Sequence, residues 1–75
     1  MTSYSARVGR AVRYLREVAG ISLTEMADRC GVLTVSGWSR VETGATTMTV
    51  DQLQRAAKAI GKKPSEILAF VEAAP

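Results

Sequence analysis

The chain contains no histidine and a single cysteine, Cys30. Those two shortages remove several chemistries at once. A serine or cysteine nucleophile has no histidine to activate it. A disulfide within the chain needs a second thiol, and a thiolate or imidazole metal site needs more ligands than one cysteine supplies. Such cysteine usage fits a reducing compartment. Carboxylate or lysine catalysis is left open by composition, but 75 residues folded as helices give little room for a substrate pocket, so an enzyme is not expected. The chain also lacks an apolar run approaching the ~20 residues that span a bilayer. Its opening, MTSYSARVGR, has no apolar segment of a secretory signal. The expectation is a cytoplasmic protein with no membrane partner, cofactor, metal or small-molecule ligand. No Pro/Gly/Ser-rich linker, repeat or low-complexity tract divides the sequence, so residues 1–75 read as one domain.

Hydrophobic residues make up 47% of the chain and charged residues 23%, a globular balance. The formal net charge of +3 favours a polyanionic partner, though only modestly. Its distribution is uneven: Arg7, Arg10, Arg13 and Arg16 crowd the first quarter, and Lys58, Lys62 and Lys63 come late.

Apolar spacing divides the chain into five helices. Val8, Ala11, Val12, Leu15 and Val18 repeat at three and four within Ser5–Ala19, marking one helical face. Ser22 and Glu25 form a capping box, in which each side chain satisfies the other residue's free N–H; Leu23, Met26, Ala27 and Cys30 then face inward as far as Gly31. Thr34 is the N-cap of a third segment that runs to Thr43, with Trp38 and Val41 apolar and Gly44 as its stop. Thr49 and Gln52 form a second capping box, ahead of Val50, Leu53, Ala56, Ala57 and Ile60 and the stop at Gly61. Pro64 suits the first position of a fifth helix carrying Ile67, Leu68 and Val71.

The stretch from Gly20 to Gly44 holds most of the functional information. A capped helix, a short glycine-bearing turn and a second short helix make a helix-turn-helix arrangement, which can present the first turn of its second helix to a DNA major groove. GISLTEMADRCGV followed by WSRVETG resembles the lambda-repressor-like helix-turn-helix family, which includes phage repressors, Cro proteins and the XRE group. VRYLREVAG is similar to the family's first helix, and TMTVDQLQRAAKAIGKKPSEIL to its fourth and fifth, so nearly the whole chain is covered. The resemblance implies an all-α, five-helix domain with the motif in its second and third helices. Three positions depart from the family pattern. Leu23 stands where a phosphate-binding Gln is common, one extra residue lies between Gly31 and Trp38 and is placed in the turn at Val32–Leu33, and Met48 replaces a frequent proline.

The same resemblance assigns roles along the motif. Val35, Ser36 and Gly37 form the first turn of the recognition helix, with side chains short enough to approach base edges. Arg40 lies outward and suits guanine or phosphate. Thr24, Thr34, Ser39, Thr43, Thr46 and Thr47 suit contacts to the DNA backbone. Trp38 is read as core rather than as a base-stacking residue, and Cys30 as a buried thiol. Arg16 and Glu42, the latter within the E-x-G motif, are expected to form a structural salt bridge. Arg7, Arg10 and Arg13 admit two readings, electrostatic steering of DNA or ordinary solvated charge. Ile67, Leu68, Phe70 and Val71 offer more apolar surface than one short helix needs and are expected at a homodimer contact. The function these features imply is a bacterial, phage or plasmid transcriptional repressor that binds double-stranded DNA as a homodimer on a palindromic operator. The alternative is a protein-interaction module or antitoxin-type partner-binding protein on the same fold.

Overall fold

Capping chemistry sets where the helices begin. In a computed structural model describing residues 2–73, five α-helices follow one another: α1 Tyr4–Val18, α2 Leu23–Cys30, α3 Val35–Thr43, α4 Val50–Ile60 and α5 Pro64–Ala73. No strand occurs among the described residues, so the all-α, five-helix expectation holds. The hydroxyls of Ser3, Ser22, Thr34 and Thr49 accept the backbone N–H of Ala6, Glu25, Gly37 and Gln52, each three residues on. Both expected capping boxes are closed, with the Glu25 and Gln52 side chains accepting from the N–H of Ser22 and Thr49. Ser3 is a cap the sequence reading missed, and α1 accordingly starts one residue earlier than expected. At the other ends, Gly31, Gly44 and Gly61 terminate α2, α3 and α4 in the left-handed conformation.

The core gathers around Trp38 and Met26, with Val12, Val41 and Ile67 fully buried beside them. Helix α1 packs on α3, α4 and α5, while α2 packs on α3 and α4, so the two helices of the motif sit against a three-helix support. Two residues of the apolar spacing that marks α1 and α4 do not join the core and are on the surface instead. Val18 is 68% exposed and Val50 is 85% exposed. They are the last residue of α1 and the first of α4, where a helix end projects past its neighbours. Ala59 takes a core place the periodicity had not assigned it.

A larger correction concerns α5. Ile67 and Val71, expected at a dimer contact, are buried in the chain's own core. Leu68 and Phe70 flank that buried line on opposite sides. Leu68 lies partly buried in a groove with Tyr4, Val8, Met48, Val50 and Leu53. Phe70 is 40% exposed and stacks on Tyr14 of α1, with ring centroids 5.4 Å apart and planes 16° from parallel. A fold this small has no spare layer to cover α5, so its inner face goes into the one core available.

Candidate nucleic-acid interface

Helices α2 and α3 are joined through residues 31–34, and this turn is tied to the helix that follows it. The Trp38 indole N–H donates to the Val32 carbonyl at 2.9 Å, joining a buried ring to the turn backbone. Within the turn, Leu33 adopts φ +62.

The far end of α3 is held by charge. Arg16 Nε donates to Glu42 Oε2 at 2.8 Å and Arg16 Nη2 to Oε1 at 3.0 Å, the two-bond fork of a guanidinium on a carboxylate. Both residues are buried. Arg16 Nη1 also donates to the Ile21 carbonyl at 2.7 Å, so one side chain joins α1, the α1–α2 turn and α3. Hydrogen bonding to Glu42 raises the Arg16 pKa above its ordinary value, against the opposing effect of burial. No buried side-chain nitrogen or oxygen among the described residues lacks a partner.

With its inner face committed in this way, α3 leaves a polar face outward. Ser36, Arg40 and Thr43 are exposed at spacings of four and three, which places them along one side of the helix. Val35 is exposed beside them, and Gly37 and Ser39 are half-buried. The Thr34 hydroxyl accepts the Gly37 N–H, and the Thr43 hydroxyl donates to the Arg40 carbonyl at 3.2 Å. Thr24 is exposed in the first turn of α2, and Thr46 and Thr47 are exposed in the α3–α4 loop. The Thr46 N–H also returns to the Arg40 carbonyl, at 3.2 Å. Ser39 and Thr43 line a shallow recess of about 120 Å³ together with Arg13, Leu23, Arg16 and Glu42.

The structure sorts the arginines in a way their sequence positions do not. Arg7 donates to the Val71 carbonyl, Arg29 to the Ala59 carbonyl and Arg55 to the Cys30 carbonyl, each joining two helices. Arg13 pairs with Glu17 one turn along α1. Among the described residues, only the guanidiniums of Arg10 and Arg40 have neither a hydrogen bond nor an ion pair. Arg10 lines a recess next to Tyr14 and Phe70. Arg40 is therefore the one unpaired arginine on the outward face of α3.

The sequence profile of the helix-turn-helix domain family matches residues 7–70. The chain belongs to the helix-turn-helix family. The fold is similar to that of the clp gene regulator ClgR from C. glutamicum, with a TM-score of 0.84. That likeness covers 91% of this chain and 87% of the other, at 24% sequence identity. None of the curated proteins compared matches the chain. The family resemblance read from the sequence is borne out at the level of family and fold. Two positions carry more than the sequence signals: Arg13, which apolar spacing does not separate from the other arginines of α1, lines the Ser39–Thr43 recess, and Leu33, in the turn directly before the Thr34 cap, has left-handed backbone.

Proposed function

We propose that this helix-turn-helix protein is a sequence-specific, DNA-binding transcription regulator. In this reading α3 enters the major groove, Val35, Ser36 and Gly37 meet base edges, and Arg40 binds a guanine edge or a phosphate. Thr24, Thr34, Ser39, Thr43, Thr46 and Thr47 hold the backbone and set the register. The observation that carries the proposal is the unpaired Arg40 guanidinium in line with Ser36 and Thr43 on a helix fastened from behind. A helix held at both ends presents that stripe without first having to order it, which favours a specific complex.

One such domain reads few base pairs, and discrimination of about 1–3 kcal/mol per pair is too little against a genome of competing sites. The regulator therefore acts as a homodimer on a palindrome, and occupancy of that operator represses. Support for the dimer comes from the half-exposed Tyr14–Phe70 stack, an apolar patch shared by α1 and α5.

Selection from random duplex DNA, followed by titration of the winning duplex at several salt concentrations, tests the reading. The expected result is an enriched inverted repeat whose binding weakens with salt and with Arg40→Ala. Retention of every duplex equally, or of none at low salt, overturns it.

A further inference from the structure

The turn of the motif holds a residue in the wrong backbone for its type. Leu33 is, among the described residues, the only non-glycine with positive φ, while the other left-handed positions are Gly20, Gly31, Gly44 and Gly61. Left-handed backbone crowds a Cβ against the neighbouring carbonyl, so a leucine there is disfavoured and glycine or asparagine is the usual choice. Burial does not account for the exception, because Leu33 remains 39% exposed.

The placement of the side chain is more informative. A Cβ on Gly37 would lie 3.2 Å from Leu33 Cβ and 3.4 Å from Leu33 Cδ2. Leu33 therefore lies across the first turn of α3, over the position where a glycine leaves room for it. Val35, two residues on, is also exposed. Leu33 directly precedes the Thr34 cap and lies over Gly37, while Val35 follows the cap on the other flank of Ser36, so two exposed branched apolar side chains bracket the leading end of the Ser36–Arg40–Thr43 face. The backbone is pinned on either side, by the Trp38 bond to Val32 and by the Thr34 cap. Such over-determined strain is a feature of sites that present a group to a ligand.

We infer that Leu33 is a specificity-determining residue, which the strained turn holds out with Val35 to pack on thymine 5-methyl groups in the major groove. The inference rests on the DNA-binding reading above. Thymine alone displays a methyl on that edge, so an apolar side chain there distinguishes it from the other bases.

The test compares wild type with Leu33→Gly and Leu33→Asn, both of which tolerate left-handed backbone. Each protein is used to select from random duplexes, and circular dichroism confirms the helices. Each thymine of the wild-type half-site is then replaced singly by deoxyuracil, which removes only the methyl. The expected result is that uracil at one position weakens wild-type binding roughly fourfold, the weight of one buried methyl group. Both variants bind more weakly than wild type, lose the thymine preference there and are indifferent to the uracil. If neither variant folds, Val35→Ala is put through the same uracil series, where a response that persists belongs to Leu33 and one that vanishes overturns the inference. No response to any methyl loss, or an equal response in wild type and variants, overturns the inference while leaving DNA binding intact. Wild-type protein that binds no duplex overturns the DNA-binding reading, and this inference with it.

Discussion

Gly9 of α1 packs directly against the Val41 carbonyl of α3. A Cβ at Gly9 would collide with that oxygen and come within 3.2 Å of the carbonyl carbon and 3.4 Å of Glu42 Cα. Backbone thus meets backbone immediately beside the residue that pairs with Arg16, and the recognition helix is seated by contact as well as by charge. Gly9→Ala gains up to about 1 kcal/mol in helix propensity. It also forces two helices apart, because the obstacle is backbone and not a side chain able to rotate, and overpacking of this kind costs about 1–3 kcal/mol. The expected outcome is a lower melting temperature by circular dichroism and weaker DNA binding. A Gly9→Ala protein that melts at or above wild type would show that the seat is loose.

The Arg16–Glu42 pair leads to a second prediction. Glu42→Gln leaves the Arg16 guanidinium buried against a neutral partner, and losing one side of a buried pair costs about 3–5 kcal/mol. The combined Arg16→Met, Glu42→Leu protein should be destabilised by less than the sum of the single changes, since neither partner is then left charged and alone. Urea denaturation of the set measures the coupling, and additive losses would sink the idea that the two residues act as a unit.

Cys30 makes stability depend on alkaline pH. Burial raises its thiol pKa, and the nearby Arg55 charge offsets this only in part. The thiol also donates to the Arg55 carbonyl at 3.6 Å. The unfolded chain releases this proton at about pH 8.5, while the folded protein holds it to higher pH. Between the two, the native state binds more protons, so the thiol's contribution is complete below about pH 8.5 and is lost as pH rises beyond it. The fall in stability from pH 8 to pH 10 should be shallower in Cys30→Ala than in wild type. Alkylation of Cys30 in the native protein should be far slower than in urea, and equal rates would count against a buried thiol.

Self-association is predicted to depend on Phe70 and not on Ile67. Phe70→Glu alters a half-exposed ring stacked on Tyr14, so the protein should keep its helices while its sedimenting mass falls from dimer to monomer. Ile67→Glu places a charge in the core and should unfold the chain instead. A Phe70→Glu protein of unchanged mass would move the proposed dimer contact away from the α1–α5 face.

Much of this architecture was legible because its causes are local. A capping hydroxyl and the N–H it satisfies lie three residues apart, so Ser22, Thr34 and Thr49 announce α2, α3 and α4 wherever those helices pack. The position of the added turn residue was legible for the same reason, because Thr34 had to remain the cap. Arg16 and Glu42 were named from family resemblance alone; they lie 26 positions apart, and no local rule joins them.

Packing settled what spacing left open. Arg7 reaches a carbonyl 64 positions away, and Arg29 and Arg55 reach across from α2 to α4 and back, which leaves Arg40 unpaired on α3. The inward turn of Ile67 and Val71, the collision waiting at Gly9 and the left-handed backbone of Leu33 belong to the same class. Sequence sets which residues can start, stop and line a helix, since those preferences act within about one turn. Which side of each helix is covered, and which charge is left for a partner, depends on the surfaces that the other helices bring to it.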